Sequence, residues 1–487
     1  MSRVVGIDIG TSGVKAVLIE DDRALAEANR PLAVSVPHPG WSEQHPDLWV
    51  DAVFGCLDEL SAGGRLADIR AIGLSGQMLG AVLLDRDLKP VRPAILWNDQ
   101  RAIAECATLL ERAPDIGYRT NGAPDPGITA PKLLWLARHE PDCLDRATLL
   151  MLPKDYVRLA LTGDVATEPT DAGGTELFDV AVGRWDAGLC AAAGWDVSRL
   201  PPVIETWQAA GTVRTALSER WGFRHTVTLA AGAGDNMAAT IGVGAGRPGD
   251  GVITIGTSGV ACLVDGMFHA APDKAVLTSA HAAPESFLSM GVVMSATASL
   301  DWVARLTGRP AADLAGLAEA VLEEDRIDEA PLFLPALTGI RTPLGRPDMT
   351  GRIHGLRPST DPAGLAWATL EGVAYQIADC VEAQTGTGVP LERLAVVGGG
   401  ARSRLWVRMI ASLLDRPAGL PDQAPVAAAL GAGRLARVAA GLDDPVALTA
   451  PMPEMPVTIE PDPTLARRLG ERRLRFQDLL PEDRIVS

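Results

Sequence analysis

IGTSGV occupies residues 9–14, and the same six letters, IGTSGV, return at residues 255–260, about half of the 487-residue chain further on. Asp8 stands before the first copy and Thr254 before the second. A reading of the fold has to explain both the repetition and the lost carboxylate. Residues 3–9 (RVVGIDI) read as a buried strand, GTSG as a tight turn, and 14–20 (VKAVLIE) as the returning partner of a hairpin. Gly10 and Gly13 are expected to supply the positive φ that such turns require. Asp21-Asp22 turns the chain again into a third extended segment near 24–36, so three antiparallel strands are expected at the start. GDGVITIGTSGVACLV (249–264) restarts the theme. The chain is therefore read as two related domains, residues 1–246 and 247–487, each of ordinary domain size.

Helices are expected over 47–62, 100–112, 131–140 and 153–161, with a strand at 69–76. TVTLAAGAGDNMAATIGVGAG (226–246) reads as strand, Gly-rich turn and helix. Residues 361–384 form one long apolar-periodic helix, 391–414 a strand, a triple-Gly turn and a helix, and 424–441 an Ala-rich helix; the tail from 451 is Pro-rich, then charged. Helices between strands make this an α/β protein, and the opening hairpins make its sheets mixed.

The 44 Lys+Arg against 61 Asp+Glu give a net charge of −17. That balance argues against a nucleic-acid partner, because phosphate contacts need a basic face. A nucleotide is not excluded, since backbone N–H groups and one divalent metal can hold a triphosphate on an acidic protein. No apolar run is long enough to span a membrane. The opening MSRVVGIDIG shows no leader pattern, and six scattered cysteines form no C-x-x-C pair. A reducing cytoplasm is the expected location.

Four glycine turns carry the chemistry. Each Gly-Thr-Ser-Gly hairpin can present N–H groups and two hydroxyls to an anion; the plain alternative is a tight turn, and the paired occurrence favours the anion. GAGDN (232–236) puts Asp235 where a strand meets a helix, so it is either a helix N-cap or a working carboxylate. GGGARS (398–403) ends a strand and opens a helix, a place for nucleotide atoms or for close helix-on-strand packing. Gly244-Ala-Gly246-Arg-Pro-Gly249 satisfies G-x-G-x-x-G but follows a helix and opens a strand, which rules out the dinucleotide fingerprint. No G-x-x-x-x-G-K-[ST] loop is present.

An Asp-bearing strand before Gly-Thr, a second Gly-Thr hairpin and a late Gly-Gly-Gly-Ala turn resemble the actin-like ATPase superfamily. Within it the chain is similar to the FGGY carbohydrate kinases, above all their xylulokinase branch. The stretches that carry the resemblance run along nearly the whole chain: GIDIGTSGVKAVLIE (6–20), PHPGWSEQHPDLW (37–49), GLSGQM (73–78), PAILWNDQRA (93–102), LPKDYVRLALTG (152–163), GAGDN, TIGTSGV (254–260), EGVAYQIAD (371–379) and GGGARS. The resemblance implies two ribonuclease-H-like domains with an ATP cleft between them. It implies that Asp8 holds Mg²⁺, directly or through water, and that one such site suffices, which answers the lost carboxylate. Thr11 and Ser12 would face the terminal phosphates from one domain, and Gly256 and Thr257 from the other. Gly399, Gly400 and Ser403 would line the adenosine. Lys15 could reach phosphate or sit on a solvated strand face. Asp235 would be the general base for a sugar hydroxyl.

Gln77, Met78, Leu79, Trp97, Asn98, Asp99 and Asn236 fall in stretches that line the sugar in this branch; core packing for Trp97 and a turn or cap for Asn98-Asp99 are the plain alternatives. Arg101 is expected in an ion pair. Two departures are visible: Leu79 stands where the branch usually has His, and GIRTPL (339–344) replaces its Gly-Glu-Arg-Thr-Pro-His, with Ile340 and Leu344. Leucine cannot hydrogen-bond a hydroxyl, and losing a donor can relax discrimination by orders of magnitude. The implied reaction is ATP-dependent phosphorylation of a ketopentose, D-xylulose to D-xylulose 5-phosphate first. Ribulose, another ketose, a polyol, a deoxy sugar or a non-catalytic nucleotide switch stand as alternatives. The implied partners are the sugar and ATP, with a homodimer as the family's common assembly.

Overall fold

The computed structural model describes residues 2–480. Its first sheet is built from β1 (Arg3–Ile9), β2 (Gly13–Glu20), β3 (Arg23–Pro31), β4 (Ile69–Gly76), β5 (Ala209–Thr212) and β6 (Thr228–Ala230), in the order β5-β6-β4-β1-β2-β3. Ala233–Gly234 also pairs with β4. The second contains β7 (Gly249–Ile255), β8 (Gly259–Asp265), β9 (Leu277–Ala280), β10 (Phe287–Val293), β11 (Leu391–Val397), β12 (Ala418–Leu420) and β13 (Val457–Ile459), in the order β9-β10-β8-β7-β11-β12-β13. In each, a hairpin is flanked by an antiparallel strand on one side and two parallel strands on the other. The sequence repeat is thus a repeat of topology, as the actin-like reading requires.

Strand alternation decides where each side chain of β1 goes. Val5, Ile7 and Ile9 pack under the helix α1 (Pro46–Ser61), against Trp49, Val53 and Leu57. Val4 points to the opposite layer with Ala429 and Leu430. Asp8 shares the parity of Val4, so alternation lifts it out of the α1 core and towards the second half of the chain.

Of the helices α2 (Asp235–Gly242), α3 (Pro362–Thr385), α4 (Arg404–Leu414) and α5 (Ala427–Ala439), α5 faces that layer and packs on α2, whereas α3 and α4 cover the second sheet. α3 carries the second core, burying Trp367, Leu370, Ala374 and Tyr375 with Ile253, Ile255 and Leu263. α5 leaves the second sheet and lies across β1, β4 and α2 of the first. Its Ala/Gly composition has a steric cause. A Cβ on Gly6 would meet the Ala429 carbonyl oxygen, and one on Gly73 that of Ala432; Gly242 and Ala427, and Gly431 and Ala238, oppose each other in the same way.

Two expectations change. Neither Gly10 nor Gly13 has a positive φ. The turn closes by Gly10 N–H donating to the Gly13 carbonyl at 3.0 Å, and Gly13 is small because a Cβ would sit 2.8 Å from the Arg30 carbonyl oxygen of β3. The charged tail contains a further helix, α6 (Pro463–Gln477). Arg472 docks it by a buried two-pronged pair with Glu371 of α3, at 2.6 and 2.8 Å.

His281 is buried, with Nε2 3.1 Å from the Ala245 carbonyl oxygen and Nδ1 without a partner among the described residues. Burial holds its pKa down to about 4. The unfolded chain therefore takes up a proton near pH 6.5 that the native state refuses until about pH 4. Stability from this group is full above pH 6.5 and drains as pH falls. Urea unfolding at pH 7 and pH 4.5 should show His281→Gln less acid-sensitive than the parent, by about 2–3 kcal/mol.

Candidate active site

β4 lies between β1 and the Ala233–Gly234 strand, in parallel register with both: Asp8 opposite Ser75, Ala233 opposite Ser75, Gly234 opposite Gly76. That register brings Asp8 and Asp235 to the same end of the sheet. Ser75 Oγ donates to Asp8 Oδ1 at 3.1 Å. Asp235 begins α2, whose N-cap is Gly234 with no side-chain cap, so the capping role is not what Asp235 does. Its Oδ1 instead accepts from Asn236 N–H at 2.7 Å and Asn236 Nδ2 at 3.0 Å. Burial, and then the Asp8 charge, push the Asp235 carboxyl up to about 7. Burial also raises Asp8, with Ser75 and Lys15 opposing. A carboxyl poised near neutrality is suited to take a proton from an alcohol.

Both carboxylates are half-buried with no ion-pair partner among the described residues, and carboxylate oxygen is the donor type that a hard divalent cation takes. Among the described residues no three His, Cys, Asp or Glu side chains make a cage.

The hairpin tips flank this site. The N–H groups of Thr11, Ser12, Thr257 and Ser258 have no acceptor among the described residues, as an anion cradle requires. The second tip is braced by Thr297 N–H donating to the Gly256 carbonyl and Ala296 N–H to that of Thr257, both at 2.9 Å. Lys15 is held by the Pro425 carbonyl at 2.8 Å.

From that tip a cavity of about 420 Å³ opens, lined by Thr297, Leu300, Ala311, Ala315, Gly399, Gly400, Ser403 and Trp406 among others. Gly398 has φ +91° and, with Gly400, abuts Ile255, while Gly399 faces open space. Close packing and access to a ligand are both served by the triple glycine. Ser403 Oγ accepts from Trp406 N–H at 3.3 Å and so caps α4.

Of the sugar-pocket candidates, Thr11, Gln77 and Trp97 are joined: Thr11 Oγ1 donates to Gln77 Oε1 at 2.9 Å and accepts from Trp97 Nε1 at 3.0 Å. Trp97 is 49% exposed, which counts against simple core packing. Met78 lies against Gly234, and Asn98 is exposed. Leu79 has φ +69°, and its carbonyl accepts from Thr129 Oγ1 at 3.0 Å and Lys132 Nζ at 2.9 Å. Asp99 is not brought to the pocket. It is fully buried, with all four acceptor positions taken by Ser42 N–H and by Arg101, whose guanidinium stacks 3.7 Å above Trp41. Ile340 is buried in the second core, whereas Arg341 reaches across to Asp125 at 3.4 Å.

Sequence reasoning missed the groups behind the site. Lys154 and Arg158 are fully buried among Asp155, Glu168 and Asp171. Arg158 donates to the Ala231 carbonyl at 2.8 Å, and Thr170 Oγ1 accepts from Gly234 N–H at 2.9 Å, so this cluster braces the loop that carries Asp235. The available signal was LPKDYVR, charged residues at helical spacing beside apolar ones.

Residues 3–242 match the N-terminal domain model of the FGGY family of carbohydrate kinases, and residues 251–440 match its C-terminal domain model. The chain belongs to that family and is an ATP-dependent sugar kinase, using a divalent metal. It is 38% identical to the xylulose kinase of Escherichia coli over 485 residues, 98% of this chain and 99% of that protein. A solved xyloylose kinase from Brucella ovis superposes with a TM-score of 0.93 at 38% identity, covering 98% of this chain and 99% of that one. The xylulose kinase structure from Rhodospirillum rubrum gives 0.89 at 28% identity, covering 98% of both.

Proposed function

We propose that the chain transfers the terminal phosphoryl group of Mg-ATP to D-xylulose, giving D-xylulose 5-phosphate. The observation that carries the reaction type is the juxtaposition of Asp8 and Asp235 at one sheet end. Two carboxylates with unequal neighbours can divide labour, one on metal and one on a proton. The sugar is inferred from similarity, over 98%, 89% and 85% of the chain, to three proteins named xylulose kinase.

Phosphoryl transfer needs in-line positioning and charge neutralisation more than covalent help. Asp8 would hold Mg²⁺, which when bound neutralises charge on the phosphates. The free N–H groups of Thr11, Ser12, Thr257 and Ser258 cradle phosphate oxygens, and the cavity beside Gly399 and Gly400 takes the base. Asp235 accepts the proton of the attacking hydroxyl, and Asn236 holds its carboxylate in place. Gln77, Met78, Leu79, Trp97 and Asn98 form the sugar face. With Leu79 unable to hydrogen-bond by its side chain, that face recognises the sugar through fewer side-chain donors.

ADP release should be measured with Mg-ATP and D-xylulose, D-ribulose, xylitol or 1-deoxy-D-xylulose. D-xylulose is expected to give the highest kcat/KM, with little release when no acceptor is present. Equal ATP consumption with and without acceptor would sink the kinase reading. A preference of tenfold or more for another acceptor, about 1.4 kcal/mol, would reassign the sugar.

A further inference from the structure

Gln44 touches neither proposed substrate position, yet every hydrogen-bonding capacity of its amide is used. Its Oε1 accepts from Trp49 Nε1 and from Gln77 Nε2, both at 2.9 Å. Its Nε2 donates to the Thr11 carbonyl at 2.8 Å and the Ala33 carbonyl at 3.2 Å. Two acceptor positions and two N–H groups complete the inventory of a glutamine amide. Gln44 and Gln77 are each only 1% exposed. A reversed Gln44 amide would set N–H against N–H at two buried contacts, with Trp49 and Gln77, and oxygen against carbonyl oxygen at two part-buried ones, so only one orientation is tenable.

That orientation propagates. With one N–H of Gln77 committed to Gln44, its Oε1 faces Thr11 and takes the hydroxyl proton. Trp97 Nε1 donates into the same hydroxyl oxygen, so the Thr11 proton cannot turn that way. The site is left with one spare N–H on Gln77 and one spare lone pair on Thr11 Oγ1. The Thr11 side chain then presents an acceptor, and only its backbone N–H is a donor.

We propose that Gln44 is a positioning residue of the transfer site, setting the donor and acceptor polarity that Gln77 and Thr11 show to the substrates. The proposal rests on the kinase reading above and deepens it. It differs from a structural role in one consequence: Gln44 acts through Gln77, so the two side chains cannot contribute independently to turnover.

The test is a double-mutant cycle in kcat/KM for the sugar, using the full-length Gln44→Met, Gln77→Met and combined variants. Gln44→Met alone should lower kcat/KM by about 10- to 100-fold, the scale of one or two buried hydrogen bonds. In the Gln77→Met background the same change should cost less than about threefold. Losses that multiply, or a lowered Tm with kcat/KM unchanged, overturn the proposal. Should Gln44→Met fail to fold, Gln44→Glu keeps both acceptor positions and removes both donors, and enters the same cycle. A second readout needs no turnover. The ¹⁵N-indole resonance of Trp97, assigned with Trp97→Phe, should move in the Gln44 variant although no hydrogen bond joins the two side chains directly. An unmoved resonance also overturns the proposal. A wild-type enzyme inactive on every acceptor would defeat the functional reading, while the indole resonance would still decide the role of Gln44.

Discussion

Asp235→Ala is expected to lower kcat by about 10²–10⁴-fold, the usual contribution of a positioned carboxylate base, while the protein folds normally. Gly234, not Asp235, occupies the N-cap of α2, and among the described residues the Asp235 carboxylate bonds only its neighbour Asn236. The loss of about 1 kcal/mol that removing a helix cap brings should therefore be absent. The pH dependence supplies a second measurement. Burial and Asp8 raise the native carboxyl to about 7, above its unfolded value near 3.8. A base must be ionised, so kcat/KM should fall about tenfold per pH unit below that value. For stability the sign is opposite. The contribution of a carboxyl with a raised native pKa is full below the unfolded value and is lost as pH rises through the native one. Asp235→Asn should therefore resist urea better than the parent at pH 8, without metal, and equally at pH 3.5. Wild-type turnover in the Ala variant, or a flat profile between pH 5 and pH 8, would remove Asp235 from the mechanism.

Lys154→Met is expected to cost about 3–5 kcal/mol in urea unfolding at pH 8, because it strips a cation from buried carboxylates. Lys154 Nζ lies 2.7 Å from Asp155, 3.2 Å from Glu168 and 3.4 Å from Asp171, all fully buried. Burial works against its charge, yet the three carboxylates together lift its pKa above the ordinary lysine value. Burial raises Asp171 well above the usual carboxylate range, with Lys154 opposing. Without Lys154 the carboxylates hold protons more tightly in the native state than in the unfolded chain. The deficit should thus shrink as pH falls from 8 towards 5. Adding Asp171→Leu to the variant should recover part of the loss by removing one uncompensated charge. Because Arg158 and Thr170 of this cluster hold Ala231 and Gly234, the folded variant should also turn over more slowly. A stability change under 1 kcal/mol would show that water or rearrangement compensates the cluster.

The pieces legible in the sequence share one property: their cause is local. The alternation of RVVGIDI, the strand-turn-helix of GAGDN and the repeated hairpin need no knowledge of what lies opposite. They sufficed to locate β1, β7, α2 and the two carboxylates. Asp99 shows the limit. Its tripeptide Trp97-Asn98-Asp99 exposes two residues and buries the third, a choice made by the Ser42 N–H and by Arg101, itself stacked on Trp41, which take up its oxygens. Gly6, Gly73 and Gly431 gave no sign of what they approach, since their partners Ala429, Ala432 and Ala238 lie far away in the chain. The same holds for α6, whose charged sequence reads as a solvated tail until Glu371 is seen opposite Arg472.

The amino-acid order by itself determined the duplicated hairpins and the single Asp before the first of them, because backbone periodicity and turn chemistry act over a few residues; the kinase-like cleft followed from the resemblance of these stretches to the FGGY carbohydrate kinases. Only the tertiary structure decided which polar side chains face substrate and which are consumed inside the protein. A hydrogen bond or a buried charge is settled by its partner, and in this molecule the partners come from distant segments.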